Sequence, residues 1–122
     1  MAILAQLVDD VVVHKFELDK IEMHLGRHPD NDIVIDDSAV SAQHASIFLQ
    51  VDRHFPEYQE IYIEDLGSTN GTFVNELRLT GRQRLHHQDV VRLAWNQFKI
   101  IDPQEVELGA TVHMVRGDRF KL

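Results

Sequence analysis

Apolar residues in this chain come in short bursts, and where they alternate they do so with a period of two. Ile61 and Ile63 are separated by Tyr62 and followed by Glu64, the pattern of a strand with one buried face. The run His44 to Val51 is less regular, but it is short and rich in strand formers. The same criteria predict strands at Ile3–Val8, Val11–Leu18, Ile21–Leu25, Asp32–Ile35, His44–Val51, Tyr58–Glu64, Thr72–Asn75, Val90–Ala94 and Phe98–Ile101. No long window carries a helical stripe. Between the bursts lie segments with turn chemistry: Gly26 to Asn31, Asp36 to Ser41, Arg53 to Glu57 and Asp65 to Gly71. Many short strands punctuated in this way predict an all-β sandwich or barrel. Pro103 closes the last clear strand, so residues 1–102 are expected to form the domain. Residues 103–122 are then an extension, with one added strand predicted at Thr111–Val115.

Composition narrows the function. The chain has 122 residues, 43% hydrophobic and 26% charged, enough apolar material for one core. No apolar run approaches the roughly 18 residues of a membrane span. The start, MAILAQLVDDVVV, lacks a basic region and carries Asp9 and Asp10 within its apolar part, unlike a signal peptide. Cysteine is absent, which leaves no disulfide framework and no cysteine-based zinc site. A cytoplasmic location is the default expectation. The formal net charge is -8, and the 12 Lys and Arg residues are not clustered. Neither a nucleic-acid backbone nor an anionic membrane is an expected partner, because both select for clustered cations.

Three short segments carry the chemistry: Gly26-Arg27, Ser41-Ala42-Gln43-His44 and Ser68-Thr69-Asn70-Gly71. Each falls in or beside a predicted loop. If those loops share one end of a sandwich, they gather a guanidinium, hydroxyls, a side-chain amide and backbone N–H groups beside glycine. That inventory suits a phosphate. Arginine offers a planar fork of donors, and its bonds to phosphate are charge-assisted. Gly67 and Gly71 allow close approach and a positive φ.

The set Leu25-Gly26-Arg27, Ser41-x-x-His44 and Asp65-Leu66-Gly67-Ser68-Thr69-Asn70-Gly71-Thr72-Phe73-Val74-Asn75 resembles the forkhead-associated (FHA) domain. The resemblance runs from about Ile21 to Ile101, and Met1 to Lys20 would supply the first two strands. It implies a two-sheet antiparallel β-sandwich of about eleven strands, with ligand loops at one end. It also implies a non-enzymatic module that binds phosphothreonine and so reads the output of a Ser/Thr kinase. The partner would be a phosphothreonine-containing protein, either a kinase or its substrate. Carried over by position, Arg27, Ser41 and Thr69 bind the phosphate. Asn70 binds the peptide backbone, and Ala42 stands where the family often has a larger peptide-contacting residue. Gly26, His44, Gly71 and Asn75 are structural supports. Asn75-Glu76 replaces the usual Asn-Gly, so a longer or different turn is expected there. Threonine would be read over serine through its methyl group, worth roughly 1 kcal/mol. Asp30, Asp32, Asp36 and Asp37 flank the loops and oppose a dianion, with Arg27, Arg82 and Arg84 as the candidate opposing charges. Affinity is therefore expected to rise with salt, but less steeply than simple repulsion dictates, since screening also weakens Arg27.

Other classes fit less well. Ser41, His44 and Asp65 are the residue types of a hydrolytic triad, but no Gly-x-Ser-x-Gly elbow accompanies them. Eight histidines raise metal binding, yet Gly26 and Pro29 exclude a helix presenting His24 and His28 together, and adjacent His86 and His87 point apart in an extended chain. A structural family member that binds a partner without phosphate is the alternative reading. The chain is expected to be a monomer. Thr111 is a candidate phosphosite that, once modified, would enter the pocket of its own or a neighbouring chain.

Overall fold

The computed structural model describes residues 1–51, 53–55 and 59–105. They form eleven strands: β1 (Ile3–Val8), β2 (Val11–Glu17), β3 (Glu22–Gly26), β4 (Ile33–Val34), β5 (Ala45–Val51), β6 (Gln59–Asp65), β7 (Thr72–Val74), β8 (Leu77–Arg78), β9 (Gln83–Leu85), β10 (Val90–Leu93) and β11 (Asn96–Ile101). One sheet runs β2-β1-β11-β10-β7-β8, the other β4-β3-β5-β6-β9. Every registered pair is antiparallel except β3–β4, which is parallel. The fold is the predicted all-β sandwich. The candidate strand Thr111–Val115 and Thr111 itself lie outside the described residues.

Alternation sets which face is buried. In β6, Ile61 and Ile63 are buried while Glu60, Tyr62 and Glu64 are partly exposed. In β11, Phe98 and Ile100 are fully buried between less buried neighbours. They meet Leu4, Leu25, Ile33, Ile47, Leu85 and Leu93 in one core between the sheets. Truncating a fully buried aromatic such as Phe98 to alanine removes about 3–5 kcal/mol.

Two differences from the sequence reading concern the segment after β7. Strands β8 and β9 were not predicted, being two and three residues long. The Asn75-Glu76 turn is also not longer than the Asn-Gly form. Val74 pairs with Leu77, so the loop has two residues, and both have positive φ, 49° at Asn75 and 68° at Glu76. Those are the signs of a type I′ turn. Asn75 tolerates this conformation and is pinned by three bonds: its N–H donates to the Val90 carbonyl (2.8 Å), the Val90 N–H donates to its Oδ1 (2.9 Å), and its Nδ2 donates to Asp89 (3.0 Å). Glu76 lacks the freedom of glycine, but a fork from Arg92 Nε and Nη2 at 3.0–3.2 Å holds its carboxylate.

Registry gathers the loops that matter. Leu25 pairs with Ala45, and Ala45 with Asp65, which puts the end of β3, the start of β5 and the end of β6 side by side. In the other sheet Leu93 pairs with Thr72, bringing the β10–β11 turn to the same end. Two bonds join the sheets there: His44 Nε2 to the Gly71 carbonyl (2.9 Å) and Asn96 Nδ2 to Asp37 (2.9 Å).

Candidate functional site

Arg27, Ser41, Ala42, Thr69 and Asn70 line one open depression of about 330 Å³ at this end of the sandwich. Arg27 follows the last residue of β3. Its backbone N–H donates to the Ser41 carbonyl (3.0 Å), and its Nε donates to the Val40 carbonyl (3.0 Å). The Nε bond fixes the guanidinium plane. Its two terminal nitrogens carry no bond among the described residues. Ser41 Oγ accepts from the Thr69 N–H (3.1 Å), so one hydroxyl ties two loops and keeps its own hydrogen to donate. Asn70 donates through Nδ2 to the Ala39 carbonyl (2.7 Å), which leaves its Oδ1 and second N–H for another partner. Thr69, Asn70 and Ala42 are exposed.

The supports sit behind this rim. His44 is fully buried; its Nδ1 accepts from the Ser41 N–H (3.1 Å) and its Nε2 donates to Gly71. One imidazole thus braces the Ser41 loop against the Gly71 loop. Gly26 is packed so tightly that an added Cβ would lie 2.3 Å from the Ala42 carbonyl oxygen and 2.8 Å from Asn31 Nδ2. Gly71 has φ +85°, and a Cβ there would meet Arg78 and Phe73 at 3.0–3.1 Å. Asn75, by contrast, is not at the site. It lies at the far end of β7 and serves the β7–β8 turn, because a three-residue strand separates it from Gly71.

Two residues that sequence reasoning gave no structural role at the site hold its loops. Asn31 Nδ2 donates to the carbonyls of His28 (2.8 Å) and Ala42 (2.7 Å), stitching the first ligand loop to the second. Nothing local in the sequence marks it, since its partner is a distant backbone oxygen brought close by Gly26. Asp65 accepts from the Gly67 N–H (2.9 Å), the Ser68 N–H (2.9 Å), Ser68 Oγ (2.5 Å) and Thr72 Oγ1 (2.7 Å). Ser68 Oγ in turn accepts from the Gly71 N–H (2.9 Å). An Asp followed two and three residues later by Gly and Ser is the local signal of such a turn. Burial pushes the Asp65 carboxyl up, but the bonds from Ser68, Thr72 and the backbone outweigh it and hold the group below its ordinary range.

Two of the four flanking acids, Asp32 and Asp37, are committed, while Asp30 and Asp36 are exposed. Asp32 pairs with Lys20 at 2.6 Å and accepts from the His24 N–H at 2.8 Å. Asp37 accepts from the Ala39 N–H and from Asn96 Nδ2, both at 2.9 Å. Bonds hold both carboxyls below their usual range: Lys20 first for Asp32, and the Ala39 N–H first for Asp37. Arg82 and Arg84 do not oppose them at the site. Arg82 pairs with Glu64 and stacks on Phe48, while Arg84 faces Glu60 and Glu105. Nor do Ser41, His44 and Asp65 form a relay, because both His44 nitrogens bond to backbone groups and Asp65 bonds to its own loop.

A β-sandwich whose end loops present a tethered guanidinium beside hydroxyls and an amide defines an anion-reading interaction module. Residues 23–94 match the family model of the FHA domain, and the chain belongs to that family. It is similar to the glycogen accumulation regulator GarA of Mycobacterium tuberculosis, 44% identical over 61 residues, or 50% of this chain and 33% of that protein. It is also similar to the oxoglutarate dehydrogenase inhibitor of Corynebacterium jeikeium, 43% identical over 61 residues, covering 50% of this chain and 38% of that protein. The matched segment thus spans well under half of either relative. Among solved structures, the FHA domain of the CT664 protein from Chlamydia trachomatis superposes with a TM-score of 0.71 at 30% identity, over 83% of this chain and 96% of that one. Mycobacterium tuberculosis EmbR, solved in complex with a low-affinity phosphopeptide, gives 0.68 at 29% identity, over 82% of this chain and 24% of that one.

Proposed function

We propose that the chain is a non-enzymatic module that binds a phosphothreonine peptide of a partner protein and so couples a Ser/Thr kinase to that partner. The observation that carries this reading is the state of Arg27. Its Nε is spent on the Val40 carbonyl, and its terminal nitrogens are held at the depression without an acceptor among the described residues. A guanidinium placed in this way meets a phosphate with two charge-assisted bonds and little ordering left to do. Ser41 donates its hydroxyl hydrogen to a second phosphate oxygen, and Thr69 Oγ1 donates to a third. Asn70 supplies one acceptor and one donor to the peptide backbone, the pairing that an extended chain presents. Binding is the whole activity, as the relatives named regulator and inhibitor also suggest.

Calorimetric titration with one peptide in phosphothreonine and unmodified forms tests this. Only the phosphorylated peptide is expected to bind, and Arg27→Ala is expected to weaken it by about a hundredfold, the scale of losing two bonds to a charged group. Equal binding of both forms would instead favour the phosphate-independent alternative.

A further inference from the structure

The outer face of the six-stranded sheet departs from the alternation of a solvated sheet. An antiparallel sheet with one face in water reads apolar inward and polar outward, whereas strands covered on both sides are apolar throughout. In β1, Leu4 points into the core, so Ile3, Ala5 and Leu7 take the outward positions. Registry extends that face across the sheet. Ile3 pairs with Ile101 and Leu7 with Val12, while Val90 pairs with Lys99 and Phe73 with Arg92. Ile3, Leu7, Val12, Phe73, Val90 and Ile101 belong neither to the core cluster nor to the residues packed against it. The outer face of the five-stranded sheet is different. It presents Glu60, Tyr62 and Glu64 from β6, and its charges pair among themselves: Arg82 with Glu64 at 3.3 Å and Arg84 with Glu60 at 3.7 Å.

The charge on the apolar face is also out of keeping with a chain of net charge -8. Lys15 and Lys99 flank Ala5 in register, and Arg78 pairs with Phe73. None of these three cations has an ion pair among the described residues, whereas Arg92 is taken up by Glu76. Glu17, opposite Ile3, is the one acid at the described strand positions of this face.

We infer that this face is a second interaction surface, which takes an acidic amphipathic helix of a partner protein. A helix is the element that covers an open sheet face. Its apolar stripe lies on Leu7, Val90 and Ile101, and its acids reach Lys15, Lys99 and Arg78. Charge decides against other occupants. A second copy of the same face sets cations against cations. Residues 106–122 carry Arg116, Arg119 and Lys121 against Glu107 and Asp118, so they supply no excess of acids. The face runs along the side of the sandwich and the depression lies at its end. One partner can therefore hold both, and each contact raises the effective concentration at the other.

The test uses the full chain, isotope-labelled for amide NMR, and an unphosphorylated peptide with leucine on one helical face and glutamate on the other. Shifts on titration are expected to map to β1, β10 and β11, and the same peptide with lysine for glutamate is expected not to bind. The double variant Lys15→Glu/Lys99→Glu is expected to weaken the acidic peptide by about tenfold, and Leu7→Gln by about fivefold. All three residues lie outside the core cluster, and thermal melting confirms that the variants fold. No shifts, shifts confined to the depression, or equal binding of the lysine peptide overturns the inference. So does a different occupant. Self-association that Leu7→Gln abolishes assigns the face to a second copy. Displacement of the probe by a synthetic 106–122 peptide assigns it to the chain's own end. Binding to phosphatidylserine vesicles that the double variant loses assigns it to a membrane.

Discussion

Gly26 sets how closely the first ligand loop lies against the second. The Ala42 carbonyl rests where a side chain would begin, and Asn31 uses the same gap to reach that carbonyl. The absence of a Cβ is therefore converted into a hydrogen bond and into the placement of Arg27, one residue on. The Gly26→Ala substitution would force backbone against a methyl at 2.3 Å, a contact that flexible side chains cannot absorb. It is expected to destabilise the fold by about 1–3 kcal/mol, the scale of overpacking, and to weaken phosphopeptide binding as well. Urea denaturation reads the first effect and titration the second. A variant with unchanged midpoint and affinity would mean that the loops have slack, contrary to the packing around Gly26. Gly67 makes the contrast: its φ is +80°, but no atom lies within 4 Å of an added Cβ, so only backbone strain opposes substitution there.

At the scale of elements, the β6–β7 loop is a short chain folded around one carboxylate. Asp65 closes β6, then accepts from Gly67, Ser68 and Thr72, which fixes where Thr69 and Asn70 emerge. Its folded-state pKa is depressed. The stability it contributes is therefore fully present above the unfolded value of about 4, and is lost as pH falls below that through the folded value. Asp65→Asn, which turns an amide against N–H donors, is expected to lower stability by about 2 kcal/mol at pH 6. That difference should shrink by pH 3, below the unfolded value, where proton binding favours the unfolded wild-type chain. Denaturant midpoints of both proteins at the two pH values measure it, and a constant gap would exclude the ionised group as the cause. Legibility in the sequence follows similar physics. Strands with several buried alternating residues, such as β6 and β11, were readable because burial imposes a period. Leu77-Arg78 and Gln83-Arg84-Leu85 are too short to show one, and only Leu85 among them is buried. The Asn75-Glu76 turn was misread because local preference for Asn-Gly says nothing of Arg92, sixteen residues on, which holds Glu76 in place. The site's side chains were readable as linear motifs, whereas the Val40, Ala39 and Ala42 carbonyls that aim them carry no side-chain signature.

For the whole molecule the question is how an acidic protein holds a dianion. The formal net charge is -8, so a phosphopeptide is repelled at long range. At short range the field is different. Asp32 faces Lys20 and Asp37 faces Asn96 and the Ala39 N–H, so two of the four acids beside the loops are spent on structure, while the terminal nitrogens of Arg27 are not. Repulsion then governs the approach, and oriented donors govern the bound state. Salt acts on the two separately. Interactions between exposed charges fall off beyond roughly 8 Å at physiological ionic strength, so added salt should relieve the distant carboxylates first. The association rate is expected to rise severalfold between low and high salt. The dissociation rate should also rise, more modestly, as the partly exposed Arg27–phosphate pair weakens. The equilibrium constant, a ratio of the two, would then improve only slightly. Stopped-flow mixing with a labelled phosphopeptide across a salt series resolves both rates. A steep fall in association rate with salt would instead mean that net attraction steers the ligand, and that the acidic surface does not face its path.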